Sequence, residues 1–247
     1  MTFNLFKRKY TPRPIFAPLG IDMHCHLVPK VDDGSKCMEE SIECLKTLKA
    51  VGYDKVIVTP HFQYPRFPND EDDITRRYNE LKAEAEKEGV GIQLSGIGGE
   101  YRIDSGFARR LENPRFLQVG GRYVLVELSL HQQMMGCDEM IFDMQMKGYE
   151  VILAHPERYP YLNVQGSRME QLKNQGVYFQ INALSLGGFY GEEAKTKAFE
   201  MLEAGWVEYM GTDTHNSMYA QALIELSNNR KVEKVLEKYK FMNSTLI

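Results

Sequence analysis

Short hydrophobic runs alternate along the chain with longer stretches of helical periodicity. The runs centre at about residues 20, 56, 94, 124, 152, 179 and 208, and their length and their content of Val, Ile and Leu are typical of buried strands. Since most of these runs are separated by a helical stretch, the pattern predicts a parallel α/β architecture.

Between the runs, apolar residues recur at every third or fourth position. Ile42, Leu45, Leu48 and Val51 form one apolar stripe that stops at Gly52, which predicts a helix with a glycine at its end. A charged helix is predicted over 70–88, and further helices at about 132–147, 166–175, 192–204 and 217–238. A left-handed residue often ends a helix before the next strand, and we assign that role to Gly89, Gly148, Gly176 and Gly205.

Histidines and acidic residues follow the hydrophobic runs, where the predicted strands end. In chain order they are His24, His26, Asp32, Asp33, His61, Glu100, Glu127, His155, Asp213 and His215. Imidazole and carboxylate ligands suit divalent metals such as Mn, Fe and Zn. The spacing of His24 and His26 is repeated by Asp213 and His215 at the last run, which favours a metal site over polar residues that only cap a sheet.

The position of these residues favours one particular arrangement of the strands. In a parallel barrel the carboxyl ends of all strands meet at one mouth, and active sites are built there. An open doubly wound sheet would scatter the same side chains along its edge. The sequence therefore predicts a closed or nearly closed barrel that carries a metal site at the carboxyl ends of its strands.

Composition and charge narrow the class of protein. The chain has 247 residues, 43% of them hydrophobic and 26% charged, which lies within the range of one large domain or two small ones. From the pattern of strands and helices we expect an N-terminal leader over 1–18 and a single barrel domain over 19–247. The net charge of −4 and the lack of a basic stripe argue against a nucleic-acid partner. The four cysteines form no C-x-x-C pair, which is typical of reduced thiols and a cytoplasmic location.

No stretch predicts a secretory signal or a membrane span. The basic and aromatic segment from Phe3 to Tyr10 is open to two interpretations, contact with an anionic membrane or partner, and packing of a frayed leader on the rim of the barrel. The oligomeric state is left open, and the N-terminal leader or the predicted helix at Ser41–Leu48 could form an interface.

The motifs at the strand ends resemble those of the polymerase-and-histidinol-phosphatase (PHP) superfamily, and within it the capsule-type bacterial manganese-dependent protein-tyrosine phosphatases. The resemblance extends from about residue 20 to the C-terminal helix. It implies a distorted, TIM-like (β/α)₇ barrel with a three-metal cluster, which agrees with the strand count. The motifs are Asp22-Met23-His24-Cys25-His26, Val31-Asp32-Asp33-Gly34-Ser35, Thr59-Pro60-His61, Glu100, Val126-Glu127, Ala154-His155-Pro156-Glu157-Arg158-Tyr159 and Thr212-Asp213-Thr214-His215-Asn216.

The resemblance also implies a set of ligands for each metal. His24, His26, Glu100 and Asp213 would hold the first; Glu100, Glu127 and His155 the second; Asp33, His61 and His215 the third. Asp32 is an alternative to Asp33, although the spacing from His24 favours Asp33. Manganese is the implied metal, with iron or zinc as alternatives.

Phosphoester hydrolysis is the reaction that this resemblance implies. A hydroxide on the metals would attack phosphotyrosine directly, and no C-x₅-R loop is present for a cysteine nucleophile. Arg158 would bind the phosphate, with a surface ion pair to Glu157 as the alternative, and Arg102 is a second candidate with a structural role as its alternative. The family's arginine shortly after the last histidine is missing here. His131 is either a loop residue or a proton donor to the leaving group.

Three functions are consistent with the sequence. The first is a metal-dependent protein-tyrosine phosphatase that acts on the phosphotyrosine tail of a bacterial tyrosine kinase controlling capsule or exopolysaccharide synthesis. The second is a small-molecule phosphatase, such as a histidinol phosphatase. The third is a metal-binding regulator with low turnover. Hydrolysis of a phosphotyrosine peptide and of histidinol phosphate, compared side by side, separates them.

Overall fold

The computed structural model describes residues 10–247 and contains parallel strands at all seven predicted positions. Two further strands, β3 and β5, were not predicted; they continue β2 and β4 beyond Thr59-Pro60 and Gly98-Gly99. The strands are β1 (Ile21–Asp22), β2 (Lys55–Val58), β3 (His61–Phe62), β4 (Gln93–Ile97), β5 (Glu100–Arg102), β6 (Tyr123–Glu127), β7 (Glu150–Ala154), β8 (Tyr178–Asn182) and β9 (Tyr209–Gly211).

The strands form two sheets, and strands that follow each other in sequence, such as β2 and β3, can lie in different sheets. One has the order β1-β2-β4 and the other the order β3-β5-β6-β7-β8-β9. At the carboxyl ends, the Asp213 amide donates to the His24 carbonyl at 2.8 Å and the Thr59 amide donates to the Cys25 carbonyl at 2.8 Å. Cys25 also forms a parallel bridge with Thr214. The chain beyond β1 therefore lies between the second and the last strand, as expected for a distorted barrel.

Eight α-helices pack around the strands of the described chain. Their bounds are α1 (Met38–Val51), α2 (Glu71–Lys87), α3 (Phe107–Glu112), α4 (Cys137–Met146), α5 (Ser167–Asn174), α6 (Glu192–Glu203), α7 (Ser217–Leu226) and α8 (Arg230–Lys238). The positive φ angles predicted for the glycines that follow helices are confirmed at Gly89, Gly148, Gly176 and Gly205. At Gly52, φ is +117°, and a Cβ atom would lie 2.8 Å from the Pro14 carbonyl oxygen.

The predicted helix limits are wrong in two places, and α3 was not predicted. The chain over 217–238 forms two helices, because the Ser227 hydroxyl donates to the Ile224 carbonyl at 2.7 Å and the Asn229 side chain accepts from the Lys231 amide at 3.0 Å. These side chains end one helix and cap the next. The helix expected from residue 132 begins only at Cys137, after a left-handed Gly136.

The alternation of side chains along the strands separates two regions of the core. Ile57, Leu125 and Ile152 belong to a small cluster inside the barrel, whereas Val56 and Val124, their neighbours in sequence, pack in the larger cluster outside it. Because alternate residues share a face, the strand that places Leu125 inside also places Glu127 there. The interior of the barrel thus changes from apolar to polar toward the carboxyl end of β6.

The described part of the predicted leader packs against the barrel. Phe16 is fully buried and its ring stacks on Tyr53 with centroids 5.4 Å apart. Arg13 forms an ion pair with Glu233 of α8. Most of the segment from Phe3 to Tyr10, for which membrane contact and rim packing were the alternatives, lies outside the described residues. Within residues 10–247, no helix combines the length and apolar character that a membrane span requires.

Candidate metal centre

The nine side chains predicted as metal ligands meet at the carboxyl ends of the strands. Glu100 lies at the centre of the group. Its Oε2 is 3.3 Å from the Nε2 atoms of both His24 and His26 and 3.0 Å from His61 Nδ1, while its Oε1 is 3.0 Å from His155 Nε2. Residues far apart in sequence therefore place their nitrogen and oxygen atoms around a single buried carboxylate.

The remaining acidic residues surround this centre. Asp213 Oδ1 is 3.3 Å from His26 Nε2 and 3.4 Å from His215 Nδ1. Glu127 Oε1 is 3.4 Å from His61 Nδ1. Asp33 is partly exposed, and its Oδ1 lies 3.4 Å from His61 Nε2 and 3.8 Å from His215 Nε2.

Three groups of these residues have donor atoms close enough to hold a metal ion. Within each group, the donor atoms lie within 4.8 Å of one another. The first group contains three of the four residues in the first ligand set implied by the resemblance. The other two differ from the implied sets, because His61 faces Glu100 and Glu127 as well as Asp33. The groups are His24, His26 and Asp213; His61, Glu100 and Glu127; and His26, His61 and His215.

Two buried atoms test whether a metal fits this donor set. His61 Nδ1 and Glu100 Oε2 are 3.0 Å apart, and neither has a hydrogen-bond partner among the described residues. Buried polar atoms are normally paired. When the ring proton of His61 is on Nε2, both atoms are acceptors, and a cation between them would satisfy both. The donors here are imidazole nitrogens and carboxylate oxygens, which suit Mn²⁺, Fe²⁺ or Zn²⁺. The residues present therefore fit a divalent metal.

The protonation of the cluster supports the same conclusion. Burial opposes protonation of His24, but the charges of Glu100 and Asp213 outweigh it and raise the pKa of His24 to about 8. Burial, together with the charge of Glu100, raises the pKa of Glu127 to about 8. Burial disfavours ionisation of Glu100, yet His24 and His61 hold its pKa well below the ordinary value. At neutral pH, protons thus supply positive charge within a group of carboxylates, a role that a divalent cation would take over.

Two of the predicted ligands have a strained backbone. His155 has φ +35° and Asp213 has φ +54°, a region that residues other than glycine rarely adopt. His155 follows β7 and begins a 3-10 turn over Pro156–Arg158. Such conformations persist only where the surrounding structure enforces them, and they are concentrated at functional sites. Here they belong to two residues whose side chains contact Glu100 and His26, respectively.

Asp32 supports the ligands instead of joining them. Its Oδ2 accepts hydrogen bonds from the backbone amide of His61 at 2.9 Å and from His26 Nδ1 at 3.0 Å, and its Oδ1 accepts from the Gly34 amide at 2.9 Å. The lone pairs of this buried carboxylate are therefore used within the protein. Asp33, by contrast, faces His61 and His215.

Strand β8 contributes two supporting residues that sequence reasoning missed. Gln180 Oε1 lies 2.8 Å from His24 Nδ1, and the Asn182 side chain donates to Asp213 Oδ2 at 2.7 Å. Both residues are fully buried. Their spacing, two polar residues separated by Ile181 in an otherwise hydrophobic run, repeats the pattern of His24 and His26. That alternation was the available signal.

The two candidate arginines lie beside the acidic ligands. Arg158 Nη1 donates to Asp213 Oδ2 at 2.9 Å, and its guanidinium lies 4.2 Å from the Tyr190 ring centroid. The alternative of a surface ion pair with Glu157 is wrong, because the Glu157 carboxylate is buried and accepts from the Ser185 hydroxyl at 2.6 Å. Arg102 Nη1 is 3.1 Å from Glu127 Oε2.

His131 lies apart from the centre. It is an exposed residue, and its backbone amide donates to the Ser129 hydroxyl at 3.3 Å. Among the described contacts of the nine ligand residues, none involves His131. The structure therefore favours a loop role for it over proton donation to a leaving group.

Aromatic rings cover two of the histidines at the mouth. Phe67 stacks on His61 with centroids 5.7 Å apart, and Tyr219 lies against His215 with centroids 5.0 Å apart. Phe189 packs against Tyr219 at 5.0 Å and remains partly exposed. The mouth thus offers aromatic surface on two sides of the centre, which suits an aromatic phosphoester.

Comparison with known proteins identifies relatives over most of the chain. Residues 20–242 match the family model described as capsular polysaccharide synthesis, CpsB/CapC. The chain is 28% identical over 220 residues to a putative tyrosine-protein phosphatase, CapC, of Staphylococcus aureus, which covers 88% of this chain and 86% of that protein. It is 30% identical over 204 residues to the tyrosine-protein phosphatase CpsB of Streptococcus pneumoniae, with 79% and 83% covered.

Solved structures show the same relationship. The chain resembles a structure from the study of YwqE from Bacillus subtilis and CpsB from Streptococcus pneumoniae, unique metal-dependent tyrosine phosphatases, with a TM-score of 0.77 and 27% identity over 92% of this chain and 89% of that one. The lactonase Lmo2620 from Listeria monocytogenes aligns with a TM-score of 0.53 at 11% identity, covering 96% of this chain and 94% of that one, which is evidence for the fold alone.

Proposed function

This chain belongs to the CpsB/CapC family of capsular polysaccharide synthesis proteins, and we propose that it is a metal-dependent protein-tyrosine phosphatase. The relatives named tyrosine-protein phosphatases cover most of the chain and of their own length. The observation that carries the proposal is the pair of buried acceptors, His61 Nδ1 and Glu100 Oε2, which lie 3.0 Å apart without a hydrogen-bond partner in the described chain.

We assign the metal ligands as the resemblance implies. His24, His26, Glu100 and Asp213 form the first set; Glu100, Glu127 and His155 the second; Asp33, His61 and His215 the third. We propose three metals and manganese as the metal. When bound, such ions lower the pKa of a coordinated water toward about 7 and stabilise phosphoryl oxygens.

The residues around the ligands would hold the centre and orient the substrate. Gln180 and Asp32 fix the rings of His24 and His26 through their Nδ1 atoms, which leaves both Nε2 atoms directed at Glu100. Arg158 is partly exposed and its planar guanidinium matches the oxygens of a phosphate. It would bind the phosphoryl group on the side of Asp213, and Arg102 would do so on the side of Glu127.

The proposed substrate is the phosphotyrosine tail of a bacterial tyrosine kinase that controls capsule or exopolysaccharide synthesis. A flexible tail can deliver its phosphotyrosine into the mouth between Phe67 and Tyr219. We propose that the encounter takes place in the cytoplasm, where the four cysteines, which are all free, would stay reduced.

Phosphate release from a phosphotyrosine peptide and from histidinol phosphate tests the proposal. Both substrates are incubated with Mn²⁺ and, separately, with a chelator. The proposal expects release from the peptide that the chelator abolishes. Release from histidinol phosphate alone would assign the protein to small-molecule phosphatases, and release from neither would favour a metal-binding regulator.

A further inference from the structure

A groove of about 560 Å³ lies beside the metal centre, between two loops. One wall is the segment from β3 to the start of α2, and the other runs from the end of β5 through α3. Arg102 lines this groove and also contacts the ligand Glu127. The groove is therefore adjacent to the centre. Its volume lies in the range of ligand-binding clefts and exceeds what a single phosphorylated side chain fills.

The two walls of the groove are joined to each other. Asp104 Oδ2 accepts a hydrogen bond from the Tyr64 amide at 2.9 Å, and its Oδ1 accepts from the Gly106 amide at 2.7 Å. At Gly106 a Cβ atom would lie 2.5 Å from the Tyr64 Cβ, so only glycine allows the walls to approach this closely. The groove is thus held in shape before a ligand enters.

The groove is lined by four arginines and three carboxylates, although the chain carries a net charge of −4. Its acidic residues are already engaged. Asp104 accepts from backbone amides, Asp70 caps α2 by accepting from the Asp72 and Asp73 amides, and Glu71 is paired with Arg110. These carboxylates therefore already have hydrogen-bond or ion-pair partners within the protein.

Arg109 is the cation left available in this lining. Its guanidinium lies 4.8 Å from the ring centroid of Tyr64, and it forms no ion pair within the described part of the chain. By contrast, Arg110 and Arg115 are paired with Glu71 and Asp72. A guanidinium stacked on an aromatic ring keeps its N–H groups free at its edge, where they can bind a carboxylate.

We propose that this groove binds the peptide next to the phosphotyrosine and selects acidic residues there through Arg109. The proposal rests on the tyrosine-phosphatase function proposed above. The aromatic ring of Tyr64, which is half exposed, would contact the peptide alongside the ion pair. An exposed ion pair contributes about 1.4- to 5-fold in affinity. Because Arg109 can pair with one acidic residue at a time, a preference of about 1.4- to 5-fold is expected for a peptide with acidic residues on both sides.

Two matched phosphotyrosine peptides test the groove. One has Glu on both sides of the phosphotyrosine and the other has Gln, and kcat/KM is measured for each with the Mn²⁺-loaded protein at low salt. The variants are Arg109→Gln and Arg109→Glu. Arg230→Glu, at the exposed start of α8, is the control because it changes the net charge as much as Arg109→Glu does. Thermal unfolding verifies that each variant is folded.

The wild type and Arg230→Glu should prefer the Glu peptide by about 1.4- to 5-fold. The preference should vanish in Arg109→Gln and reverse in Arg109→Glu. Equal kcat/KM for the two peptides in the wild type, or an unchanged preference in both Arg109 variants, would overturn the proposed role of the groove while leaving the phosphatase function in place. If the protein hydrolyses neither of the two peptides and also does not hydrolyse a small aryl phosphate, the proposed function itself is overturned, and the groove proposal with it.

Discussion

Replacing Asp32 by Asn separates support of the metal ligands from metal binding itself. The Asp32 carboxylate accepts three hydrogen bonds, from His26 Nδ1, the His61 amide and the Gly34 amide. An Asn side chain has the same shape but only one acceptor oxygen. It must therefore turn its amide nitrogen toward one of these N–H groups, and it no longer carries the negative charge that strengthens the bond to His26.

The size of the effect follows from these contacts. A hydrogen bond to a charged group contributes about 1.5–3 kcal/mol and a neutral one about 0.5–1.5 kcal/mol, so the weaker bond to His26 costs about 1 kcal/mol. An N–H group left facing a second donor costs about 1 kcal/mol more. The sum corresponds to a metal affinity lowered by about 10- to 100-fold, the range found when a residue that orients a metal ligand is replaced.

The assay is activity as a function of Mn²⁺ concentration. In Asp32→Asn, half-maximal activity should require about 10- to 100-fold more Mn²⁺, and saturating metal should restore most of kcat. Asp33→Asn is the matched comparison, since Asp33 faces His61 and His215 directly. Added Mn²⁺ should not restore its activity.

Two results would refute this reasoning. If Asp33→Asn responds to metal like the wild type while Asp32→Asn stays inactive at saturating Mn²⁺, the roles of the two aspartates are reversed. If both variants keep wild-type metal dependence, neither residue acts on the centre.

Three further predictions concern acidic residues in and beside the centre. Glu100→Gln should reduce turnover by more than about 10³-fold, because metal ions lower such barriers by several kcal/mol; its circular dichroism should match the wild type, and full activity would contradict the assignment. Binding of Mn²⁺ at about pH 7 should release the proton held by Glu127, whose pKa is about 8. Calorimetry in buffers of different ionisation enthalpy should show less release at about pH 9, and equal release at both pH values would contradict it. Burial, partly opposed by the hydrogen bond from Ser185, raises the pKa of Glu157 to about 7. The pKa of Glu157 in the folded protein exceeds the unfolded value of 4.5. The stability that this carboxyl contributes is therefore fully present below about pH 4.5 and is lost as pH rises through 7. The loss is about 3 kcal/mol in all. Urea unfolding in a chelator should therefore show the wild type losing stability relative to Glu157→Gln between pH 5 and about 8, and parallel curves would disprove the linkage.

Much of the site was visible in the sequence because each strand ends in a residue of recognisable chemistry. His24, Glu127 and His155 follow hydrophobic runs directly, and the barrel brings the ends of its strands together whatever the details of packing. Sequence alone could not show how the predicted ligands are grouped, because His61 lies close to Glu100 and Glu127 and also to Asp33. Which neighbouring side chains an imidazole ring contacts depends on its side-chain rotamer.

Errors in the predicted fold also have local and physical causes. The break at Ser227–Asn229 depends on hydroxyl and amide groups that compete for the backbone, and hydrophobic periodicity does not register them. The strands β3 and β5 are too short to show a period of their own. They appear only because the chain resumes pairing after Thr59-Pro60 and Gly98-Gly99.

The sequence by itself determined the alternation of the seven main strands with helices and the type of side chain at each strand end, because these depend on neighbours within a few residues. The tertiary structure decided which side chains support the predicted ligands, what Arg158 contacts, and that a groove lies beside the centre. The bond between His24 and Gln180 joins residues 156 positions apart. Contacts of this kind depend on the relative register and rotation of whole strands, which no local pattern of residues specifies.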